Sequence, residues 1–498
     1  MSDLPSPNDT YTSPLATRNA SPAMCRIWSP RHKFQTWRRV WLAVAEAQHE
    51  VTNEWDVPLV SEEQIAELRA HLEVTDEDMA LAAGYEAELR HDVMAHVHAW
   101  GDRCPKARPI IHLGMTSQDV VCNADLLVLG QATGFIRKKL TRLLLAFGDQ
   151  ADRHKNTPCL GFTHYQTAQP VTVGRRLAGY AYEIRYALGL AEDITDSRLH
   201  LRGLRGATGT QASFLNLLND EPSKVEALEH AFCQRFAGGA DFDGVYALTG
   251  QTYPRVVDTV ILSNLASIAA VLHKVATDFR LLSNRKEIDE PFGKKQIGSS
   301  AMPYKRNPMK CERICGLTRF VMNLVGNAYD TAATQWLERT LDDSSNRRLS
   351  LPEAFLALDG AIDLMHTVVS GLVVNEAMVR RNLMAELPFL ATENILMEAV
   401  KAGGDRQDLH EKIRVHAQAA GVRVKQEGLD NDLIQRLRSD PAFSAVSHML
   451  TEDQLLDPMQ YVGRAVEQTD RFLAEVVEPL RGRYGEEIED LGSSDRGV

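Results

Sequence analysis

The densest group of chemically active side chains lies between residues 294 and 313. Two lysines lead into the stretch GSSAMPYKRNP, which spans residues 298–308 and places Ser299 and Ser300 directly after a glycine. The whole segment holds six Lys or Arg residues and one Glu, a net charge of +5. A run of like charges is more often a solvated face. Because this one is interleaved with Gly, Ser, Asn and Pro, we interpret it as a mobile loop that forms an anion pocket.

A second polar segment contains three histidines. Arg90-His91-Asp92 is followed by His96 and His98. Two histidines that bind one metal ion from a helix face are usually four residues apart, and these are not. The spacing therefore does not predict a metal site. A polar helix surface without a chemical role is the plain alternative for this segment.

Two further polar segments each precede a predicted helix. Thr116 and Ser117 are typical helix caps, and the same position directs free N–H groups towards an anion. His164 follows Thr163 in a polar turn ahead of Pro170, which we expect to start a helix. For His164, an exposed loop without a function is an equal alternative.

Glycine recurs every third residue at positions 203, 206 and 209. The spacing matches neither the G-x-x-x-x-G-K-[ST] loop nor G-x-G-x-x-G, and no predicted strand precedes it. A nucleoside-triphosphate loop is therefore not indicated.

The elements that must position these segments are long helices. Apolar residues keep three- and four-residue spacing over most of the chain, and alternating segments of strand length are nearly absent. A helix is expected from Thr75 towards His98. The longest helices are expected over 117–158, 170–201, 253–288, 308–330 and 352–374. Apolar stripes on helices of this length need partners, so we predict an all-α fold with a helix bundle shared between subunits.

The length of 498 residues predicts two to four domains. We expect an N-terminal helical domain at 1–116, a central long-helix bundle at 117–374 and a C-terminal domain of shorter helices at 375–498. The proline-rich stretch up to about Ala23 suits an extended arm.

Composition excludes several classes of protein. The net charge is −12, whereas proteins that bind nucleic-acid polymers usually carry a basic excess. No stretch approaches ~18 uncharged apolar residues, and the best candidate, Val260 to Leu272, is short, so no membrane span is predicted. The first twenty residues lack the apolar core of a secretory signal. Seven cysteines without a CxxC pair indicate free thiols in a reducing cytoplasm.

The polar segments together resemble those of a known superfamily. GSSAMPYKRNP resembles the signature of the fumarase/aspartase superfamily, and residues 90–92, 116–117 and 163–164 resemble its other active-site segments. The resemblance covers about residues 11–480. It implies a three-domain helical fold with a central bundle, and a homotetramer whose active sites each take segments from three subunits.

Within the superfamily, the resemblance is to the adenylosuccinate lyases of the animal-type branch. Residues 250–253, 337–348 and 387–394 carry it. It implies β-elimination of fumarate from adenylosuccinate, giving AMP, and from the succinylated carboxamide ribotide SAICAR, giving AICAR. It also implies no metal and no other cofactor.

The resemblance implies a role for each catalytic position. Ser299 would be the general base and His164 the general acid, with Glu312 orienting that histidine. Lys305 and Asn307 would hold the carboxylate on which negative charge develops. A serine can act as a base only if backbone N–H groups and nearby cations stabilise its oxyanion.

The remaining positions that the resemblance implies are substrate contacts. Arginine suits phosphate and carboxylate because it binds them in bidentate fashion. His91 would contact the phosphate or assist the reaction from a neighbouring subunit, and Asn19 stands where the family often has Tyr. The implied substrate-binding residues are Arg18, Asn19, Arg90, His91, Asp92, Thr116, Ser117, Gln251, Lys305, Asn307, Arg313, Arg339, Ser344 and Arg348.

Two alternatives stay open at this stage. One is a sibling lyase that also releases fumarate, such as argininosuccinate lyase. The other is an inactive structural protein on the same scaffold, because a fold alone does not determine a function.

Overall fold

The computed structural model is mostly helical. Its described residues are 9–237, 244–448, 450, 457–489 and 491–492. Pro5 and Pro7 of the expected N-terminal arm lie outside them. The arm is also shorter than expected, because Leu15–Asn19 forms a π-helical turn and the first α-helix starts at Pro22.

The described residues form eighteen α-helices. The five helices of the N-terminal part are α1 (Pro22–Ile27), α2 (Pro30–Thr52), α3 (Glu62–Ala70), α4 (Asp76–Leu89) and α5 (Asp92–Arg103). The next seven are α6 (Ser117–Arg153), α7 (Val173–Asp193), α8 (Ala212–Leu217), α9 (Pro222–Ala237), α10 (Val256–Asn284), α11 (Met309–Ala333) and α12 (Asp342–Ser370). The last six are α13 (Glu376–Leu390), α14 (Thr392–Lys401), α15 (Arg406–Gln426), α16 (Leu433–Ser439), α17 (Ala465–Phe472) and α18 (Glu478–Glu489).

Two small antiparallel sheets accompany the helices. They consist of β1 (Pro158–Thr163) with β2 (Gln166–Thr172), and of β3 (Ile288–Asp289) with β4 (Val373–Val374). Besides Leu15–Asn19, the short helical turns are Ile194–Arg198 and Leu473–Val477 of π type, and Arg108–Ile110, Pro441–Val446 and Pro458–Tyr461 of 3₁₀ type.

Three apolar clusters make up the core. The largest joins α6, α7, α10, α11 and α12, the second joins α2 and α5 to α8 and α9, and the third lies between Ala391 and Leu450. The second cluster shows that residues 212–237 pack against the N-terminal helices although they follow α7 in sequence. The division into domains at residues 116 and 374 stays a prediction.

A buried charge cluster fixes α6 against α12. Lys139 forms ion pairs with Asp359 and with Asp363, the latter at 2.8 Å, and all three side chains are fully buried. The N–H of Ser21 donates to Asp359 Oδ2 at 2.5 Å. Since removing one partner from a buried ion pair is strongly destabilising, this cluster fixes both the helix register and the N-terminal segment that carries Arg18.

The bundle has two distinct ends. At one end, which we call the arginine end, Arg347 of α12 binds Asp125 of α6 at 3.0 Å and Asp258 of α10 at 2.7 Å. The other end carries the β1–β2 hairpin, and we call it the hairpin end. There Ile288, after α10, pairs with Val374, after α12. The helices α10 and α12 therefore run in the same direction, and about 33 Å of helix separates Arg348 from Ser370.

Three sequence-based expectations about helices are wrong. The helix from Thr75 stops at Leu89, because Arg90 adopts a left-handed conformation (φ 55°) and His91 starts the next helix. Pro352 lies inside α12, which begins ten residues earlier at Asp342. Pro170 lies in strand β2, and α7 begins at Val173. Proline at a helix start is a preference of the first turn that these two positions do not follow.

The premise of the membrane prediction, that no apolar stretch approaches the length of a span, needs correction. Both α6 and α10 contain an 18-residue window with the length and hydropathy of a membrane span, at mean hydropathies of 1.2 and 1.7. The segment Val260 to Leu272 lies in α10. Of these windows, 67% and 50% are buried inside the chain, which is typical of core helices and makes them weak evidence for a span.

Candidate active site

Nine of the residues expected to bind substrate line one cavity at the arginine end. The cavity has a volume of about 1060 Å³ and lies between the α4–α5 junction, the start of α6, the segment before α10 and the start of α12. The nine residues are Arg90, His91, Asp92, Thr116, Ser117, Gln251, Arg339, Ser344 and Arg348. These residues are distant in sequence, so it is the fold that creates this concentration of arginines and hydroxyls.

The break between α4 and α5 aims His91 into this cavity. His91 is the N-cap of α5, and its Nδ1 accepts the N–H of Met94 at 3.3 Å. Because Nδ1 accepts, the neutral ring carries its proton on Nε2. That Nε2 lies 3.4 Å from Ser117 Oγ. A continuous helix over these residues would not present the imidazole in this way.

The start of α6 is held by one buried carboxylate. Asp119 Oδ2 accepts the N–H of Thr116 at 2.7 Å, and Oδ1 accepts the N–H groups of Arg205 and Gly206 at 2.9 and 3.0 Å. Asp119 also binds Arg202, and both side chains are fully buried. Asp119 therefore ties the glycine-containing loop at residues 203–209 to the cap that carries Ser117.

The same glycine loop positions Gln251. Its Nε2 donates to the carbonyl of Ala207 at 3.0 Å, and its backbone N–H donates to the backbone carbonyl of Glu338 at 3.1 Å. At Gly209, where φ is +89°, an added Cβ would lie 2.0 Å from the carbonyl oxygen of Thr249. The role of these glycines is thus a close backbone approach beneath the cavity, which their spacing did not predict.

Two adjacent arginines of α12 have different surroundings. Arg347 is buried, and its pKa lies well above the usual range because Asp258, Tyr253 and Asp125 outweigh the effect of burial. Arg348 faces the cavity, and its Nη2 lies 2.8 Å from Asp92 Oδ2. Burial opposes ionisation of Asp92, but Arg348 and then Lys33 outweigh it, so the pKa of Asp92 is lowered. The cavity wall therefore carries a charged Asp–Arg pair supported by a rigid network.

His164 lies at the other end of the bundle, on the β1–β2 turn. The turn is a two-residue connection in which His164 has φ 52° and Tyr165 has φ 57°. Two positive φ values define a type I′ turn, which normally uses Asn and Gly. The polar turn expected here is the tip of a β-hairpin formed by residues 158–172. Its exposed tip holds a histidine in a conformation that is uncommon for this residue type, and such outliers cluster at functional sites.

The loop at 298–308 also lies at the hairpin end. Its neck is closed by Asn307 Nδ2, which donates to Gly298 O at 3.0 Å, and a Cβ on Gly298 would lie 2.1 Å from the carbonyl oxygen of Lys305. Ser299 Oγ accepts the N–H of Met302 at 3.1 Å. The loop therefore offers a hydroxyl with a backbone N–H donor, which would stabilise an oxyanion. The side chain of Lys305 is exposed beside it.

A carboxylate that the sequence pattern did not reveal, that of Glu290, connects the segments before and after this loop. Glu290 accepts the N–H groups of Lys310 and Cys311, at 3.0 and 2.7 Å, and so caps α11. Lys310 Nζ returns to the carbonyl of Pro291 at 3.1 Å. These contacts join residues 290–291 to residues 310–311, so the segment that contains the loop starts and ends at the same place. The partner lies twenty residues away, which explains why no local capping pattern revealed it.

Replacing Glu290 with Ala is expected to lower kcat roughly tenfold, because the segment that carries Ser299 loses its contact with the start of α11. The melting temperature should fall slightly, since loss of a cap costs about 1 kcal/mol. A matched control is Asp405→Ala, which removes two backbone hydrogen bonds, from Gln407 and Asp408, at the start of α15. It should lower stability similarly and leave kcat unchanged. Steady-state rates well below the melting temperature and thermal melts separate the two effects. Equal kcat values for the two variants would show that Glu290 has only a structural role.

The remaining expected residues form two further groups. Glu312 is exposed on the first turn of α11, next to Arg313. Burial and then the charge of Arg18 lower the pKa of Arg313, so these two arginines lie near each other. The carbonyl oxygen of Asn19 would lie 2.6 Å from a Cβ on Gly360, and its Nδ2 donates to Pro14 O at 2.8 Å. Neither Arg18 nor Asn19 lines the arginine-end cavity.

One chain thus separates the expected site into parts. The cavity is at the arginine end, whereas His164 and Ser299 are at the hairpin end. Among the described residues, no hydrogen bond or ion pair joins His164 to Ser299, Lys305 or Glu312. In the same part of the chain, no group of three or more His, Cys, Asp or Glu residues is arranged to hold a metal ion.

Known proteins resemble this chain over most of its length. The sequence profile described as "Lyase" matches residues 16–323, and the one described as "Adenylosuccinate lyase C-terminus" matches residues 388–472. The chain is 46% identical to adenylosuccinate lyase of Saccharomyces cerevisiae over 465 residues, covering 93% of this chain and 94% of that protein. It is 45% identical to adenylosuccinate lyase of Schizosaccharomyces pombe over 490 residues, covering 97% and 98%. The fold resembles that of 3-carboxy-cis,cis-muconate lactonizing enzyme from Pseudomonas putida, with a TM-score of 0.79, 26% identity, and coverage of 94% and 99%.

Proposed function

The chain belongs to the adenylosuccinate lyases, C–N lyases of the fumarase/aspartase superfamily, and we propose that it releases fumarate from adenylosuccinate and from SAICAR by β-elimination. The observation that carries the proposal is the cavity at the arginine end, where nine positions expected to bind substrate lie around one space. The phosphate of a nucleotide requires several cations and hydroxyls in one place, and this cavity provides them.

We assign the proton transfers to residues at the hairpin end. Ser299 removes the proton next to a substrate carboxylate, and the N–H of Met302 stabilises the serine oxyanion. Lys305 and the second N–H of the Asn307 amide bind the carboxylate that gains charge. His164 then protonates the departing nitrogen, for which an imidazole is suited near neutral pH. Glu312 orients His164.

A complete site needs more than one copy of the chain. The cavity lies at the start of α12, whereas the catalytic loop follows β3, which pairs with β4 just after the end of α12. About 33 Å of helix separates these two positions, a distance that one chain does not close without unfolding the bundle. An antiparallel arrangement of copies brings the arginine end of one beside the hairpin end of another. We therefore propose a homotetramer with shared active sites, in which Arg18 and Arg313 also contribute.

The surface of the bundle supports this assembly. Large apolar side chains remain exposed on its helices, including Tyr186 of α7 at 73%, Val256 of α10 at 56% and Tyr329 of α11 at 56%. Apolar patches on helices of this length are typical of subunit interfaces.

All seven cysteines are free, which supports the proposed cytoplasmic location.

Purified full-length protein is expected to release fumarate from both purine substrates and none from argininosuccinate. Fumarate absorbance measures the release, and light scattering should give about four times the chain mass of 55.5 kDa. Turnover of argininosuccinate alone would assign the chain to the sibling lyase. Absence of turnover by a well-folded tetramer would favour a structural role. A fully active monomer would contradict the shared site.

A further inference from the structure

A second, smaller cavity adjoins the one at the arginine end. It has a volume of about 160 Å³ and shares three lining residues, Val121, Ser344 and Arg348, with the larger cavity. Most of its walls are apolar, formed by side chains such as Trp28, Val121 and Leu351. It is therefore a narrow side chamber of the proposed nucleotide site, with a few polar groups among mostly apolar walls.

Lys33 of α2 lines this chamber. Its Nζ lies over the rings of Phe34 and Trp37, at 5.0 and 4.8 Å from their centroids. Its ammonium forms no hydrogen bond and no ion pair with another residue that the structure describes. Aromatic faces attract a cation weakly. The three N–H donors of Lys33 are thus available to a ligand in the chamber.

The charges around Lys33 explain why it needs an anion. Burial, and then the positive charge of Arg348, lower the pKa of Lys33, and the carboxylates of Asp125, Asp92 and Glu86 only partly offset this. A cation placed beside apolar walls without a hydrogen-bonded anion is destabilised. A bound anion between Lys33 and Arg348 would reduce the repulsion between them.

The neighbouring cations already have protein partners. Arg348 binds Asp92 at 2.8 Å, and Arg347 binds Asp258 and Asp125. The hydroxyl of Ser29, which also lines the chamber, donates to Arg26 O and accepts from His32 N. Lys33 is therefore the cation of this chamber whose charge is not matched by a direct carboxylate contact in the described part of the chain.

We propose that Lys33 is a substrate-binding residue that holds the 5′-phosphate of the nucleotide at the mouth of this chamber, next to Ser344 and Arg348. The proposal rests on the proposed function. A phosphate carries about −1.5 to −2 charges and three acceptor oxygens. This matches one compact ammonium, one guanidinium and one hydroxyl better than a single carboxylate does. The succinyl carboxylates are assigned to the hairpin end of another copy, which leaves the phosphate for this position.

The test compares a phosphorylated with an unphosphorylated ligand. In the intact oligomer, Lys33→Gln is expected to weaken AMP binding roughly ten- to a hundredfold, because hydrogen bonds to charged groups contribute more than neutral ones. Its affinity for adenosine should stay unchanged. The KM for adenylosuccinate should rise by a similar factor, while kcat stays within about threefold. Lys33→Arg keeps the charge and should retain AMP affinity within about threefold. Calorimetry measures the affinities.

A matched control is Lys224→Gln. Lys224 also lies over an aromatic ring, that of Trp55 at 5.1 Å, but it binds Glu221 and does not line either cavity. Its AMP affinity should equal that of the wild type. Adenosine binding shows in each variant that the site is folded.

Four results would overturn the proposal. Unchanged AMP affinity in Lys33→Gln would exclude the phosphate contact while leaving the proposed function intact. Equal weakening of AMP and adenosine would show that Lys33 only maintains the wall of the chamber. If Lys33→Gln does not fold, a Lys33→Arg variant that binds adenosine normally but loses AMP more than tenfold would exclude a charge-based contact. A wild-type protein that does not cleave adenylosuccinate would overturn the proposed function together with this inference.

Discussion

Replacing Ser299 with Ala is expected to lower kcat for adenylosuccinate about a thousandfold or more, because positioned bases and activated nucleophiles contribute factors of about 10² to 10⁴. AMP affinity should stay close to that of the wild type, since Ser299 is assigned to the succinyl part of the substrate. Fumarate release measured at saturating substrate gives kcat, and calorimetry with AMP gives the affinity. A large loss in kcat without a loss in affinity is the pattern of an interaction made in the transition state.

The neighbouring serine provides a matched control. Ser300 has the same hydroxyl one residue away, but only Ser299 Oγ accepts a backbone N–H, from Met302. Ser300→Ala should therefore keep kcat within about threefold of the wild type. The reverse pattern, with Ser300→Ala inactive and Ser299→Ala active, would move the base to the second serine. Wild-type rates in both variants would remove the general base from this loop.

The sequence predicts the long helices well and their starting points less well. Apolar spacing identified α6, α7, α10 and α11, because their buried stripes are local in sequence. It placed the start of α12 at Pro352, although the helix begins at Asp342. The ten residues in between carry Ser344, Arg347 and Arg348, whose polar character reflects the cavity and the network beneath it. Because the first residues of α12 are polar, hydrophobic spacing did not indicate that they belong to the helix.

The hairpin at the other end was hidden for a related reason. A type I′ turn is usually recognised by Asn-Gly, and here His164 and Tyr165 occupy its two central positions. The strands also contain Gly161 and the amides of Gln166 and Gln169, so they do not alternate as a half-buried strand does. The residue type needed at the tip therefore removed the usual turn signal.

The residues that support the site were the hardest to predict. Asp119 and Glu290 each accept several backbone N–H groups from segments far away in sequence, and Lys33 approaches the cavity from α2. None of these contacts follows a local period. The separation of the site into two ends is equally invisible in the sequence, because it depends on the directions of α10 and α12 in the bundle.

Two inactive variants with lesions at opposite ends are expected to restore activity when their subunits are mixed. His164→Ala removes the proposed general acid at the hairpin end, and Arg348→Ala removes a proposed substrate contact at the arginine end. If each site combines the hairpin of one copy with the cavity of another, random mixing gives about a quarter of the sites two intact parts. The mixed tetramers should reach about a quarter of the wild-type rate, which is far above either variant alone.

The design of the mixture makes the result specific. Each variant carried alone through the same dissociation and reassembly should remain inactive. In a mixture of Ser344→Ala with Arg348→Ala, every chain carries one lesion in its own cavity, so no cavity has both residues intact and activity should not recover. Differently tagged chains verify by mass that mixed tetramers form. If such verified tetramers of His164→Ala and Arg348→Ala stay inactive, the hairpin and the cavity of one chain must act together. The bundle would then have to bring its two ends together, against the rigid helices α6, α10 and α12 that separate them.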